Sequence, residues 1–404
     1  MPGLLDLPTE ITLLVMNFAK WQRHKPDYES IKAWSLTCRV LTPCAQSVLF
    51  SHVILRNIST MRALQHVVGN PSKTARYLRD RVRILEVFTK EELGARSIHL
   101  HDVAQLIPRL PNLRHLALDL DRFYTFTPVS LPLIRHASEN LTAITVKPSC
   151  GWTLLQLLER LPNLRHIHYV DQFPNSSSFL NHRISCPIAF TQITYTSLSK
   201  YGFKPLVWLT SHPHLKLDLL ELGSAVPDPL VFNLIMSNIG SHLQRLHIYN
   251  MTPACVPFLG QCTVLEELVI GGLNWSCLFA GDLIPVSCRR ISIFADNIFY
   301  LDYVFPVIFQ ALHSLSSLNT LTFVGEDKSA PPFMSDAVER DWIRQCRSLG
   351  IELSFLHVPG HDDMLHSCKP DEHGVPSSMI RPNHETALAR VVFVSAIRIL
   401  TPLC

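Results

Sequence analysis

Neither sign of charge dominates this chain. Its 36 Lys and Arg residues stand against 33 Asp and Glu, a formal net charge of +3. That falls well short of the basic excess of a dedicated nucleic-acid binder, so no nucleic-acid partner is expected. The densest basic run, Arg76, Arg79, Arg81 and Arg83, reads either as a phosphate contact or as a solvated face. The 11 cysteines contain no CxxC pair, which argues against a disulfide framework and a zinc ribbon. No G-x-x-x-x-G-K-[ST], G-x-G-x-x-G, G-x-S-x-G or H-E-x-x-H occurs. Phosphate cradles, nucleophile elbows and zincin sites therefore lose their sequence support, and no catalytic residue or cofactor is expected.

Long apolar runs are missing too. The two most apolar stretches, 298–312 and 387–400, are interrupted by Asp302 and Pro306 and by Arg390 and Arg398. Both fall short of the about 20 apolar residues of a spanning helix, so no membrane association is expected. The first 18 residues carry Asp6 and Glu10 and lack a basic n-region, unlike a secretory signal. The expectation is a cytoplasmic or nuclear chain. The best metal-like constellation is His361, Asp362, Asp363, His366, Cys368 and His373. Its spacing matches no zinc module, so a polar loop within a 357–404 tail is expected and no metal site.

What the chain does have is core material: 47% of its residues are apolar and 17% charged, enough to offset the entropy of folding. Near the start, Pro8 sits where a first helical turn tolerates a missing amide, and Ile11, Leu14, Val15 and Phe18 share one helical face. Ser30 can cap a second helix carrying Ile31, Trp34 and Cys38, and Pro43 suits the first turn of a third that runs to Phe50. Three short helices bury little by themselves, so residues 1–55 read as a module that needs a partner or a neighbour.

The ordered residues Leu7-Pro8-x-Glu10, Ser35-Leu36-x-Cys38-Arg39 and Leu49-Phe50-x-x-Val53-x-Leu55 resemble the F-box of fungal F-box proteins. That resemblance implies a groove-docking surface for a Skp adaptor, and through it a cullin-RING ubiquitin ligase, made by Leu7, Pro8, Ile11, Leu36, Cys38 and Leu41. Where the family usually has tryptophan, this chain has Leu41, which offers less area to bury. A plain three-helix cap on the following domain is the alternative.

After a presumed linker at 56–74, the phrase Arg-Leu-Pro-Asn-Leu-Arg-His occurs twice, at 109–115 and 160–166. It continues as Leu113-x-x-Leu116-x-Leu118 and as Leu164-x-x-Ile167-x-Tyr169. The same offsets recur around middle residues 85, 144, 193, 220, 246, 268, 291 and 321, with a weaker match at 353. One match means little in so apolar a chain, but steps of 22 to 32 residues lie near the about 20 to 29 of leucine-rich repeats. Helical stretches at 153–161, 229–239 and 335–349 lie between strands.

Residues 75–356 thus resemble the irregular leucine-rich-repeat solenoids found behind F-boxes, with the asparagine ladder of regular repeats largely missing. The fold class expected is α/β, a three-helix module followed by a solenoid with a curved parallel sheet; an ordinary layered α/β domain is the alternative. Residues flanking each middle position should face away from the core. This makes His115, His166, His168, Arg245, His247 and Arg290 the candidate face for an unknown target protein. Four imidazoles there would favour an acidic segment as pH falls toward 6, and simple solvation is the other reading. The function expected is a non-enzymatic substrate receptor of a Skp/cullin/F-box ligase; the alternative is a stand-alone repeat scaffold.

Overall fold

The computed structural model describes residues 21–22, 25–26, 28–37, 42–89, 97–120, 125–136, 139–147, 152–171, 190–197, 203–212, 215–223, 228–271, 278–279, 283–295, 301–325 and 336–357. The first expected helix and the 357–404 tail beyond His357 lie outside these residues, and so does the His361 cluster. The chain divides into two compact units. One contains Phe50–Thr322 and Asp336–Leu353, and the other contains Met1–Leu49, Phe323–Ser335 and Ser354–Cys404.

In the smaller unit, α1 (Tyr28–Thr37) and α2 (Thr42–Ser51) stand where the second and third helices are expected, but α1 starts before Ser30, which is its third residue and not its cap, and ends before Cys38. Ile31, Cys44, Ala45 and Val48 bury against one another, with Trp34 and Leu49 packed alongside. The Thr42 hydroxyl donates to the Ser35 carbonyl at 2.8 Å and ties the start of α2 to α1.

Twelve parallel strands form one sheet in strictly sequential order. They are β1 (His52–Leu55), β2 (Ile84–Phe88), β3 (His115–Asp119), β4 (Ala143–Lys147), β5 (His166–Asp171) and β6 (Gln192–Ser197), then β7 (Leu219–Gly223), β8 (Arg245–Ile248), β9 (Glu267–Gly271), β10 (Arg290–Ala295), β11 (Thr320–Gly325) and β12 (Glu352–His357). The register is the one the repeat spacing predicts. Val53, Leu85, Leu116, Ile144, Ile167, Ile193, Leu220, Leu246, Leu268 and Ile291 pair in an unbroken row from β1 to β10. From Leu85 to Ile291 this row is at most 1% exposed, because a one-residue slip would turn every apolar side chain away from the core.

The sheet begins one strand before the first repeat expected from the sequence. Phe50-x-x-Val53-x-Leu55 has the repeat's own apolar offsets, and Val53 pairs with Leu85. The stretch 56–74, read as a linker, carries α3 (Ile58–Gly69). Asn57 caps it through a reciprocal pair with Thr60, and Met61, Leu64 and Val68 are buried at helical spacing. α4 (Lys73–Arg79) follows, capped by Ser72.

Helices recur between later strands: α5 (Leu100–Leu106), α6 (Leu131–His136), α7 (Trp152–Leu158), α8 (Lys204–Thr210), α9 (Pro229–Ile239), α10 (Leu301–Leu312) and α11 (Asp336–Ser348). In α9 the Asp228 carboxylate accepts the amides of Leu230 and Val231 and Pro229 fills the first turn, so the start of this helix is written locally. Among the described residues no helix is long and apolar enough to cross a membrane.

A side-chain ladder crosses the turns that precede β3, β4 and β5. Asn112 Nδ2 donates to the Asp80 carbonyl at 2.9 Å, Asn140 Nδ2 to Pro111 at 2.7 Å and Asn163 Nδ2 to Glu139 at 3.2 Å. Each Asn stands four residues before its strand's middle position and bonds the preceding repeat. This ladder precedes the strands, so it is distinct from the asparagine ladder of regular leucine-rich repeats, whose Asn follows the strand. Asn140 sits in Glu139-Asn140-Leu141, outside the verbatim phrase, and only the register shows its equivalence.

Candidate interaction face

The strand residues before and after each middle position lie in rows on the face away from the apolar core. On the row before it, His52, His115 and His166 occupy every second strand and alternate with Ile84 and Ala143. On the row after it stand Glu86, Ala117, Thr145, His168, Thr194, Glu221 and His247.

These rows are not a freely solvated polar surface. Arg290 is exposed and His115, His166, His168 and Arg245 are half-buried, but Glu221 and His247 are buried. The reason is lateral: in a parallel sheet each side chain has neighbours about 4.8 Å away on both sides and shields them from water. The sequence marks which side of the strand a residue takes, and the neighbouring strands set how much water it meets.

The buried polar groups are joined across strands. His52 Nε2 lies 3.3 Å from Glu86 Oε2, His115 Nε2 lies 2.9 Å from Thr145 Oγ1, and Thr194 Oγ1 donates to Glu221 Oε2 at 3.1 Å. Lys147 Nζ reaches Asp119 Oδ2 at 3.3 Å and also stands 5.9 Å from the centre of the Phe88 ring. Further along, Glu267 takes His247 Nε2 at 2.9 Å on one oxygen and Arg290 Nη2 at 3.1 Å on the other.

Burial lowers the pKa of His115 to about 4, helped by the nearby His52 and His166 and opposed by Glu86. This corrects the expectation that the imidazoles of this face charge together as pH falls toward 6, since His115 stays neutral there. At Glu267 burial pushes the carboxyl pKa up, but the His247 hydrogen bond and the charges of His247, Arg290 and Arg245 outweigh it and hold the carboxyl below its ordinary value.

Of the six candidate adaptor-docking residues, Leu36 alone is among the described residues; Leu7, Pro8, Ile11, Cys38 and Leu41 lie outside them. Leu36 is 86% exposed on the helix whose Ile31 is fully buried. Among the described residues no group of three or more His, Cys, Asp or Glu is placed to hold a metal ion. Cys44, Cys255, Cys262, Cys288 and Cys346 are buried free thiols. Burial pushes Cys262 and Cys288 up to about 12 and Cys346 up to about 11, so none of these three is an activated nucleophile.

Arg114 and Arg165 lie outside the apolar offsets of the repeat. They stand at equivalent exposed places, one residue before β3 and β5, and belong to the verbatim phrase. No protein-family model matches the chain, and no curated protein sequence matches it.

Proposed function

We propose that the chain is the substrate-recognition subunit of a Skp/cullin/F-box ubiquitin ligase, with an F-box at the N-terminus and an irregular leucine-rich-repeat array that holds a target protein. The observation that carries this reading is the ordered Leu7-Pro8, Ser35-Leu36-x-Cys38-Arg39 and Leu49-Phe50 motif. The exposure of Leu36 beside a small buried core supports it: a lone apolar side chain in water is common, but here it falls on a position the motif assigns to docking.

The repeat array is the part suited to a target. Stacked repeats bury one continuous core and present the side chains of the opposite strand face and its edges in regular rows. Ubiquitin-transfer chemistry would then belong to the partner complex, and this chain would position the target.

The test is co-elution of the full chain with purified Skp adaptor. Leu7→Asp and Ile11→Asp should abolish the complex, because docking would bury an unpaired carboxylate in an apolar groove. Leu36→Asp should weaken it while leaving the melting temperature unchanged. Folded variants that still co-elute would return the chain to the reading of a stand-alone repeat scaffold.

A further inference from the structure

The phrase Arg-Leu-Pro-Asn-Leu-Arg-His is repeated without change, and the fold accounts for only part of it. Leu110, Leu113, Leu161 and Leu164 are buried. Asn112 and Asn163 are rungs of the turn ladder. The second arginines of the phrase, Arg114 and Arg165, are exposed, and their side chains make no ion pair or hydrogen bond. Their backbone amides, by contrast, are fixed: Arg114 donates to the Arg83 carbonyl and Arg165 to that of Thr142. Two free guanidinium groups are therefore carried at equivalent places on a rigid edge.

They are not alone there. Arg83 occupies the same place before β2, with Nη1 donating to the Asn112 carbonyl at 3.1 Å. Arg81, over the Tyr77 ring at 4.8 Å, and Arg109 add exposed charge nearby. Among the described residues of the same stretch the acids counter this only in part: Glu86 is buried against His52, Asp119 is paired with Lys147 and Asp80 with Arg79, leaving Asp102, Glu139 and Glu159. One strand separates β3 from β5, so Arg114 and Arg165 stand about 10 Å apart, the span of about three residues of extended chain.

We propose that this edge, from Arg83 through Arg114 to Arg165, binds an extended acidic segment of a protein, with carboxylates on Arg114 and Arg165. Arginine suits the role because its planar fork takes a carboxylate through two hydrogen bonds and stays charged at every physiological pH. The modest net charge of the whole chain favours a local acidic segment over the long phosphate backbone of a nucleic acid. The inference deepens the proposed function by naming the chemistry of the target, and it does not depend on the adaptor.

The experiment measures binding of a fluorescein-labelled peptide of Gly-Ser-Glu repeats to the full chain by anisotropy, alongside adaptor co-elution. Arg114→Glu/Arg165→Glu should weaken the peptide about tenfold or more, while Arg114→Lys/Arg165→Lys retains a measurable part. Arg62→Glu/Arg347→Glu, the same charge change at two other exposed arginines, should leave binding within about twofold. Affinity should stay flat from pH 7.5 to 6, because no histidine carries it.

Three results would overturn the proposal: no binding by the wild type, equal loss in the control pair, or tighter binding of an oligouridine of the same length. Adaptor co-elution separates the two readings. Peptide binding without adaptor would remove the F-box reading alone, and adaptor binding without peptide would remove this one alone.

Discussion

His247 of β8 and Glu267 of β9 meet across the sheet at 2.9 Å, Nε2 to Oε1, with the imidazole only 3% exposed. Its other nitrogen, Nδ1, is buried and makes no hydrogen bond. Glu267 is thus the imidazole's hydrogen-bond partner, and Glu267→Ala should cost about 1 to 3 kcal/mol by leaving a buried N–H unsatisfied. The fold holds the Glu267 carboxyl below its ordinary 4.5, so its contribution is present above that pH and lost as pH falls through the lower folded value. Urea unfolding should show the difference between wild type and Glu267→Ala shrinking below about pH 4.5. A gap that is constant down to pH 3 would mean that the pair contributes no charge term.

His115 predicts a loss in the same direction over a higher window. Its folded pKa of about 4 lies below the ordinary 6.5, so the unfolded chain takes up a proton first and stability falls as pH drops from 6.5 toward 4. The groups that face it are His52, Glu86, His166 and Thr145. His115→Asn should melt with less acid sensitivity over that interval, a difference of a few degrees between pH 7 and 5. Equal pH slopes for the two proteins would place the acid sensitivity on other groups.

The buried row of middle residues should respond as one structural class. Leu116, Ile167, Leu246 and Leu268 are each at most 1% exposed. Each change to Ala should cost about 2 to 5 kcal/mol by chemical denaturation, from lost transfer energy and the cavity left behind. Near-zero losses at two of the four would show that the sheet register is wrong.

Two glycines separate close packing from mere flexibility. A Cβ at Gly271 would lie 2.6 Å from the Tyr249 carbonyl oxygen, whereas one at Gly260 meets nothing within 4 Å. Gly271→Ala should lower stability by about 1 to 3 kcal/mol. Gly260→Ala should be neutral or slightly stabilising, by restricting the unfolded chain. Thermal melts of the two variants side by side would settle the contrast.

The row from Leu85 to Ile291 was legible in the sequence because burying apolar side chains on one face of a strand imposes offsets on the chain itself. The start of α9 was legible for a similar reason, since Asp228 and Pro229 supply its cap and first turn locally. The same offsets run through Phe50, Val53 and Leu55, but those residues also fitted a helical-module motif, and only pairing with β2 shows Val53 and Leu55 as strand while Phe50 lies in helix α2. Tertiary structure alone decided what each outward residue does. His52 meets Glu86, His247 meets Glu267, and Asn140 meets the Pro111 carbonyl because register lays one strand beside the next. Partners of that kind come from 20 to 34 residues away with no fixed step. Apolar burial acts along a strand and leaves a period, whereas hydrogen bonds and exposure act across strands and leave none.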